Sequence, residues 1–396
     1  MRRLIVPALV CLAVQFVSAS ATIALDFRTV PWRTVYVYPV NQQRGIYDAV
    51  IHAFAVVNTG DESVTLDTIE IEALKDRTVV QTWSVPLSHL ERTTKAAATL
   101  YAEGGLEDAE PTFHTRRLAG STTTPANTSV LVTQSYMLGR SRYLVFPQKP
   151  DILRLTAHGT SLSGVPVSAT ETVNVEIYRL KNAYTLPVAG RVMMSGGADA
   201  HVNHRWSQAA EFALDFDALG DNTSRYSDAG RTVSEYEIYG RDVLASADGT
   251  VVEIVANHDE ADELLREPDE EMAAYIRRIS VWNRDMARRN IAALCGNRVV
   301  IDHGQDEFSL SCHLKQNSVR VAMGDSVRQG QVIGQVGKSG NASVPHLHFQ
   351  LSDGPGQFNS RSLPVTFTNI RADWGGNLNG KYLLGGQIVE AKPPKQ

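Results

Sequence analysis

The sequence lacks an excess of basic residues. Lys and Arg number 38 against 43 Asp and Glu, which gives a formal net charge of -5. Loss of an N-terminal leader that carries Arg2 and Arg3 would leave 36 basic residues against 43 acidic ones, or -7. A chain of this charge is a poor ligand for polyanions, which argues against nucleic acid as the main partner.

Long apolar runs are also absent after the first twenty residues. The one such run, Leu4 to Val17, follows two arginines and precedes the small residues Ala19-Ser20-Ala21. It is too short for a comfortable transmembrane helix. The pattern predicts a secretory signal peptide over residues 1–21, a mature chain without a transmembrane segment, and an exported protein, periplasmic or secreted. Cys11 lacks the preceding small residue that a lipid-anchor site needs.

Cysteine is scarce, since removal of the leader leaves only Cys295 and Cys312. The apolar stretches 299–301 and 308–310 should pair as a hairpin around 304–306. Counting outward from that turn brings the two cysteines nearly opposite, so a disulfide is predicted in an oxidising compartment. The alternative is a reactive Cys312 beside His313. Strand alternation disfavours it, because it sends neighbouring side chains to opposite faces.

The length and ordinary composition suggest two domains of moderate size. Residues 25–180 read as mainly β, with strands such as Tyr47 to Val57 and Val64 to Ile71 bounded by turn residues. Strands at this spacing predict an immunoglobulin-like β-sandwich with one helical insertion. The histidines in this part are scattered and are interpreted as structural or solvent-exposed.

Chemistry is concentrated in the second half of the chain. In Val344 to Gln350, an apolar and β-prone run, His346 and His348 stand two positions apart and should share one face of a strand. Two imidazoles on one face suit a zinc site or an acid/base pair. Taken alone, the pair could equally be two solvated histidines on a strand surface.

Their context resembles the lysostaphin/LytM-type zinc metallopeptidases. The chain carries, in the family's order, Gly296-Asn297-Arg298-Val299-Val300-Ile301, His313-Leu314, the glycine-punctuated run 324–334 and His346-Leu347-His348-Phe349. The resemblance implies an antiparallel β peptidase domain, here placed at residues 190–396. A segment at about 258–293, with apolar residues at three- and four-residue spacing, predicts a helical insertion. This helix would either pack outside the sheet or form a wall of the substrate groove.

The family also needs a histidine and an aspartate before the matched motifs, commonly as His-x-Gly-x-Asp. This chain departs from that pattern, because Ile238 stands where the histidine would be in Ile238-Tyr239-Gly240-Arg241-Asp242. A variant with an Asn-His ahead of an aspartate-bearing strand fits His204 and Asp215. These two residues are therefore preferred over any pair that uses His201 or Asp242.

The resemblance implies zinc held by His204, Asp215 and His348, with a fourth position left for water. It assigns His313 and His346 to acid/base work and oxyanion stabilisation. The expected function is an exported zinc endopeptidase that cuts peptide cross-links of bacterial peptidoglycan. The N-terminal domain is expected to position the enzyme, bind a protein partner or cover the groove. Two alternatives are a LytM-like regulator without catalysis and a carrier domain that shares the glycine turns but lacks the histidine–aspartate set.

Overall fold

The computed structural model describes residues 21–27, 34–102, 117–133, 144–198, 204–206, 208–260, 262–357 and 360–392. The protein is mainly β, which confirms the predicted fold class. The predicted signal peptide, residues 1–21, lies outside the described residues except for Ala21. None of the helices within these ranges is both long and apolar enough to cross a membrane.

The N-terminal region, residues 21–177, contains twelve described strands and one helix. The strands are β1 (Ile23–Phe27), β2 (Thr34–Tyr36), β3 (Tyr38–Asn41), β4 (Ile46–Ala49), β5 (Ala53–Asn58), β6 (Val64–Lys75), β7 (Thr78–Val85), β8 (Thr123–Thr124), β9 (Ser129–Thr133), β10 (Leu144–Phe146), β11 (Ile152–Ser161) and β12 (Pro166–Glu176), and the helix is α1 (Leu87–Ala102). These strands form three sheets. The largest has the order β2-β12-β11-β6-β7, with β8 beside β6, and the two smaller ones have the orders β1-β5-β9 and β10-β4-β3.

These sheets share one apolar core. In β6, buried side chains alternate with more exposed ones, as a half-buried strand requires, and Val64, Leu66 and Ile71 enter the core with Phe54 of β5. The single strand predicted over Tyr47 to Val57 is wrong. The chain leaves the sheet after β4 and re-enters a different sheet as β5, with Val50 to His52 buried between them. The immunoglobulin-like topology stays a prediction.

The C-terminal region, residues 178–392, contains the other twelve described strands. They are β13 (Gly190–Gly196), β14 (Leu214–Ala218), β15 (Asp242–Leu244), β16 (Gly249–Val255), β17 (Asn297–Asp302), β18 (Phe308–Leu314), β19 (Ser326–Val327), β20 (Val332–Gln335), β21 (Leu347–Ser352), β22 (Ser362–Leu363), β23 (Ile370–Ala372) and β24 (Ile388–Ala391). A large sheet has the order β19-β16-β17-β18-β21-β14-β13-β24-β23, with β22 beside β21, and β15 pairs with β20 separately.

Strand alternation gives the large sheet two different faces. Leu214 and Phe216 of β14, together with Leu347 and Phe349 of β21, enter the main C-terminal core. The residues between them must point to the opposite face, because the side-chain period of a strand is two. Asp215 and His348 are therefore turned away from the main core and towards the second face.

The predicted disulfide is confirmed, and it lies on this second face. Cys295 and Cys312 are bonded with their Cα atoms 5.1 Å apart, and they pack with Val300 and Leu310. Strand register alone does not bring the two cysteines together, however. Cys295 lies in a 3-10 turn before β17 rather than in the strand, and Asn297 already pairs with Leu314. The turn folds Cys295 back towards Cys312.

The predicted insertion at about 258–293 contains an α-helix, α2 (Met272–Arg289), between β16 and β17, but this helix is shorter than the predicted segment. None of its residues is fully buried, so it lies on the surface of the C-terminal region. The link between the two regions is fastened by Glu307, which is itself fully buried. Its carboxylate accepts hydrogen bonds of 2.8 Å from the hydroxyls of Tyr178 and Tyr184, and the backbone N–H groups of Lys181 and Asn182 also donate to it. The division into domains at 25–180 and 190–396 stays a prediction.

Candidate metal centre

Asp215 and His348 meet because their strands are neighbours in the large sheet. They are direct register partners in the antiparallel pair formed by β14 and β21. Directly paired residues project from the same face, so their side chains are brought together by the backbone ladder itself. His348 Nδ1 lies 3.1 Å from Asp215 Oδ1.

His204 approaches from outside the sheet. It begins a single 3-10 turn, His204–Trp206, and its Nε2 lies 2.9 Å from Asp215 Oδ2. This nitrogen is buried and, among the described residues, has no partner in hydrogen-bond geometry. Each of His204, Asp215 and His348 offers one ligand atom, and these three atoms lie within 4.8 Å of one another. The three residues therefore form a group that could hold a metal ion.

The donor set suits zinc. Two imidazoles and one carboxylate are typical ligands of a catalytic zinc, which keeps a further position for water or substrate. The side chains of His204, Asp215 and His348 are 16%, 15% and 11% exposed, so the centre is largely buried but keeps some contact with solvent. Of the alternatives considered from the sequence, Asp242 is placed elsewhere: it pairs with Gln335 in the separate β15–β20 sheet. His201 lies outside the described residues.

His313 reaches the same face through a β-bulge within its strand, β18. Cys312 is the register partner of His348, so regular alternation would turn the next side chain to the opposite face. Instead, the pairing of β17 with β18 shifts by one residue here, and His313 has a backbone φ of 60°. This β-bulge leaves the ring of His313 5.8 Å from that of His348. The expectation that Cys312 and His313 face opposite ways is therefore wrong.

His346 lies directly before β21 rather than within it. Its ring centroid is 4.7 Å from that of His313, and its Nε2 is 3.8 Å from Asp215 Oδ1. In both rings the Nδ1 atom is bound to a backbone carbonyl: His313 to Ser339 at 2.9 Å and His346 to Val344 at 2.8 Å. A carbonyl only accepts, so each Nδ1 carries the hydrogen and each Nε2 is left to act as the acceptor.

Two shifted pKa values fit this arrangement. Burial opposes ionisation of Asp215, but His204 and His346 outweigh it and hold the pKa of this carboxyl well below its ordinary value. Burial, followed by the neighbouring His346 and His348, holds the pKa of His313 well below its ordinary value. At neutral pH the pocket therefore offers an ionised carboxylate and an uncharged imidazole, the states that a cation ligand and a proton acceptor require.

Sequence reasoning missed Gln350. Its Oε1 is 3.2 Å from His348 Nε2, and its own side-chain amide donates to the carbonyl of Ala209 at 3.1 Å. A carbonyl oxygen on the far nitrogen of an imidazole fixes the ring orientation and leaves the near nitrogen free for a metal. The period of two that places His346 and His348 on one face also points to position 350, so the signal was available in the sequence.

Residues 284–360 match the model of peptidase family M23. This segment includes His313, His346 and His348 but neither His204 nor Asp215. No curated protein matches the sequence.

Among solved structures, the chain is similar to the catalytic domain of the antimicrobial peptidase lysostaphin from Staphylococcus simulans, with 18% identity, 47% of this chain and 88% of that chain covered, and a TM-score of 0.23. A putative peptidase M23 from Pseudomonas aeruginosa is 19% identical over 61% of this chain and 81% of that chain, with a TM-score of 0.25. The M23 metalloprotease pseudoalterin, from the deep sea, is 17% identical over 55% of this chain and all of that chain, with a TM-score of 0.28. These likenesses are too weak to carry an argument about activity. The segment 284–360, which lies within the C-terminal region, is therefore the part of this chain that matches peptidase family M23.

Proposed function

We propose that the C-terminal region is a zinc-dependent endopeptidase that hydrolyses peptide cross-links of bacterial peptidoglycan. This proposal is carried by the proximity of His204, Asp215 and His348, whose ligand atoms lie within 4.8 Å of one another. His313 and His346 border the same three residues. A peptidase family and a metal-ligand set in one place support metal-assisted hydrolysis.

His204, Asp215 and His348 would hold the zinc ion. When bound, zinc supplies Lewis acidity that polarises a peptide carbonyl and makes water a better nucleophile near neutral pH. Asp215 contributes the one negative charge among the three ligands. His348 is kept in orientation by Gln350, whose amide oxygen lies at its other ring nitrogen.

His313 and His346 would move protons. His313 is uncharged because its pKa is held low, and its Nδ1–H is bound to the Ser339 carbonyl. Its Nε2 is thus the atom that accepts a proton from water and returns it to the leaving amine. His346, held through Nδ1 by Val344, presents its Nε2 beside Asp215; with a hydrogen on both ring nitrogens, it would donate a hydrogen bond from Nε2 to the developing oxyanion.

The substrate class and compartment rest on the family resemblance. Exported members of the lysostaphin/LytM type mostly cut peptide cross-links in the bacterial cell wall. The N-terminal pattern of two arginines, an apolar run and small residues supports export of this chain to the periplasm or the medium. Together they favour peptidoglycan peptides over intracellular peptides as the substrate.

Metal analysis and peptidoglycan digestion test the proposal on the same preparation. The mature protein should hold about one zinc per chain, as a three-ligand catalytic site does. Incubation with isolated peptidoglycan should release fragments whose masses, read by mass spectrometry, differ by one water at a peptide bond. Protein that holds zinc but cuts no peptidoglycan or peptide would favour the regulator, and protein without zinc would refute the proposed centre.

A further inference from the structure

The segment that bears His204 is attached to the N-terminal region by buried charges. Asp48 of β4 lies with its Oδ1 2.9 Å from Arg205 Nη1, and both side chains are completely buried. Arg205 is the chain neighbour of His204. Its Nη1 also donates a hydrogen bond to the backbone carbonyl of Ala198 at 2.7 Å. The same guanidinium therefore contacts both Asp48 and a residue that precedes His204 in the chain.

A second pair extends this cluster. Glu211 Oε1 lies 3.4 Å from Arg205 Nη2, and Glu211 Oε2 lies 3.0 Å from His52 Nε2. Burial opposes ionisation of Glu211, but His52 and Arg205 hold its pKa below the ordinary value. The N-terminal region therefore contributes Asp48 and His52 to the stretch of chain that connects His204 with Asp215.

An aromatic contact accompanies the charges. Tyr38 of β3 is the register partner of Asp48, so the two side chains project from the same face of the β3–β4 pair. The ring of Tyr38 stacks on Phe212 at 6.0 Å, and the guanidinium of Arg205 lies 5.5 Å from the same Phe212 ring. One strand pair of the N-terminal region thus presents a counter-ion and an aromatic surface to the same segment.

His204 depends on this support in a way that Asp215 and His348 do not. The other two residues are fixed by the pairing of β14 with β21, whereas His204 lies in one isolated 3-10 turn. A buried guanidinium needs its counter-ion, and loss of one partner leaves an uncompensated charge that drives local rearrangement. Any movement of Arg205 would be passed to the adjacent His204.

We propose that Asp48 is a positioning residue of the metal centre: by holding Arg205 it sets where His204 presents its imidazole. The proposal rests on the proposed function, because it takes His204 as a metal ligand. It gives the N-terminal region a defined part in the centre, since a residue more than 150 positions before the first ligand helps to place that ligand.

The test measures zinc affinity in the full mature chain, by competition with a chromophoric chelator, for Asp48→Asn and a matched control. Asp48→Asn should raise the zinc Kd about tenfold, the lower end of the range for residues that orient metal ligands. The control is Glu72→Gln, the same carboxylate-to-amide change in a pair with Arg154 at 2.6 Å that is confined to the N-terminal region. Its zinc Kd should stay within about twofold of the wild type, inside the usual scatter of a remote substitution.

Two further arms separate positioning from charge repulsion and from general instability. The double variant Asp48→Leu/Arg205→Met keeps the net charge and replaces a buried ion pair by apolar groups, which proteins often tolerate. It should fold and should also show a raised zinc Kd. In the metal-free protein, backbone amides of residues 204–206 and 208–212 should exchange hydrogen faster in Asp48→Asn than in Glu72→Gln, when each variant is measured at the same interval below its own melting temperature.

The possible contrary results distinguish failure of the positioning role from failure of the proposed function. An unchanged zinc Kd in Asp48→Asn, or an equal rise in Glu72→Gln, overturns the positioning role and leaves the proposed function intact. A raised Kd in Asp48→Asn with a normal Kd in the double variant would mean repulsion of the cation and would overturn it too. Wild-type protein without zinc affinity refutes the proposed function itself.

Discussion

Asp215 and His348 lie on neighbouring strands of one sheet, whereas His204 lies in a single turn whose neighbouring residue is held by the N-terminal region. On the sheet side, backbone hydrogen bonds place the two residues opposite each other whatever their side chains are. On the other side, the position depends on a few specific side chains, among them the completely buried Asp48 and Arg205. Both sides should therefore respond to loss of a metal ligand. Only the side of His204 should also respond to substitution of a distant residue such as Asp48.

Removal of a ligand should have the largest effect, and it should be equal on both sides. His348→Ala and Asp215→Ala on the sheet side, and His204→Ala on the other, should each strip the zinc and abolish peptide hydrolysis together, because two ligands hold zinc poorly. Zinc per chain and cleavage rate are measured on the same preparations. Asp242→Ala is the control and should keep both. Loss of zinc in Asp242→Ala with retention in Asp215→Ala would show that the wrong aspartate has been assigned.

Removal of the proton-transfer groups should have the next largest effect. His313→Ala and His346→Ala should leave zinc largely in place and lower the hydrolysis rate by about a hundredfold or more, the usual scale for a lost acid/base or oxyanion group. A plot of zinc content against turnover should therefore separate these variants from the ligand variants. If His313→Ala lost zinc as completely as His348→Ala, His313 would have to be counted among the ligands.

Loss of Gln350 tests how far the sheet alone positions His348. The strand pairing fixes the backbone, but rotation of the imidazole is limited by the contact of its Nε2 with Gln350 Oε1. Gln350→Leu should weaken zinc binding about tenfold, the lower end for a residue that orients a ligand. Ser352→Ala, two positions further along the same face of β21, is the control and should bind zinc normally. Equal zinc affinity in the wild type and in Gln350→Leu would show that strand pairing orients His348 without Gln350.

The smallest effect concerns the backbone at His313. A non-glycine residue at φ of 60° is strained, and glycine relieves that strain. His313→Gly should be more stable than His313→Ala by about 1 kcal/mol in denaturant unfolding of the metal-free protein. Both variants lack the imidazole, so the difference isolates the backbone. At Ser311, in the regular part of β18, the order should reverse, with the alanine variant the more stable. The same order at both positions would argue against the bulge.

Much of the centre was predictable because its signals are local. The period of two predicts His346 and His348 on one face, and the ordered motifs around His313 resemble those of the family from which its role is proposed. Asp215 was harder to find, since the usual His-x-Gly-x-Asp spacing is missing and Ile238 takes the place of the histidine. The disulfide was predicted for the right pair, although a 3-10 turn and not simple register brings Cys295 to Cys312.

Other features depend on contacts between distant parts of the chain. The bulge at His313 reverses the facing that alternation predicts, because the pairing of β17 with β18 shifts by one residue there. The pairing of Asp48 with Arg205 has no local signature, since an aspartate in a short strand and an arginine after a histidine are ordinary residues in isolation.

The sequence by itself determined the mainly β character, the cysteine pair, the surface helix and the types of residue available for the centre, because periodicity and motif spacing are properties of neighbours along the chain. Only the tertiary structure decided that Asp215 pairs with His348, that a strained backbone turns His313 towards them, and that Asp48 pairs with Arg205, the neighbour of His204. These follow from which strands become neighbours and which charges are buried together. That is set by the packing of the whole chain and not by any one stretch of it.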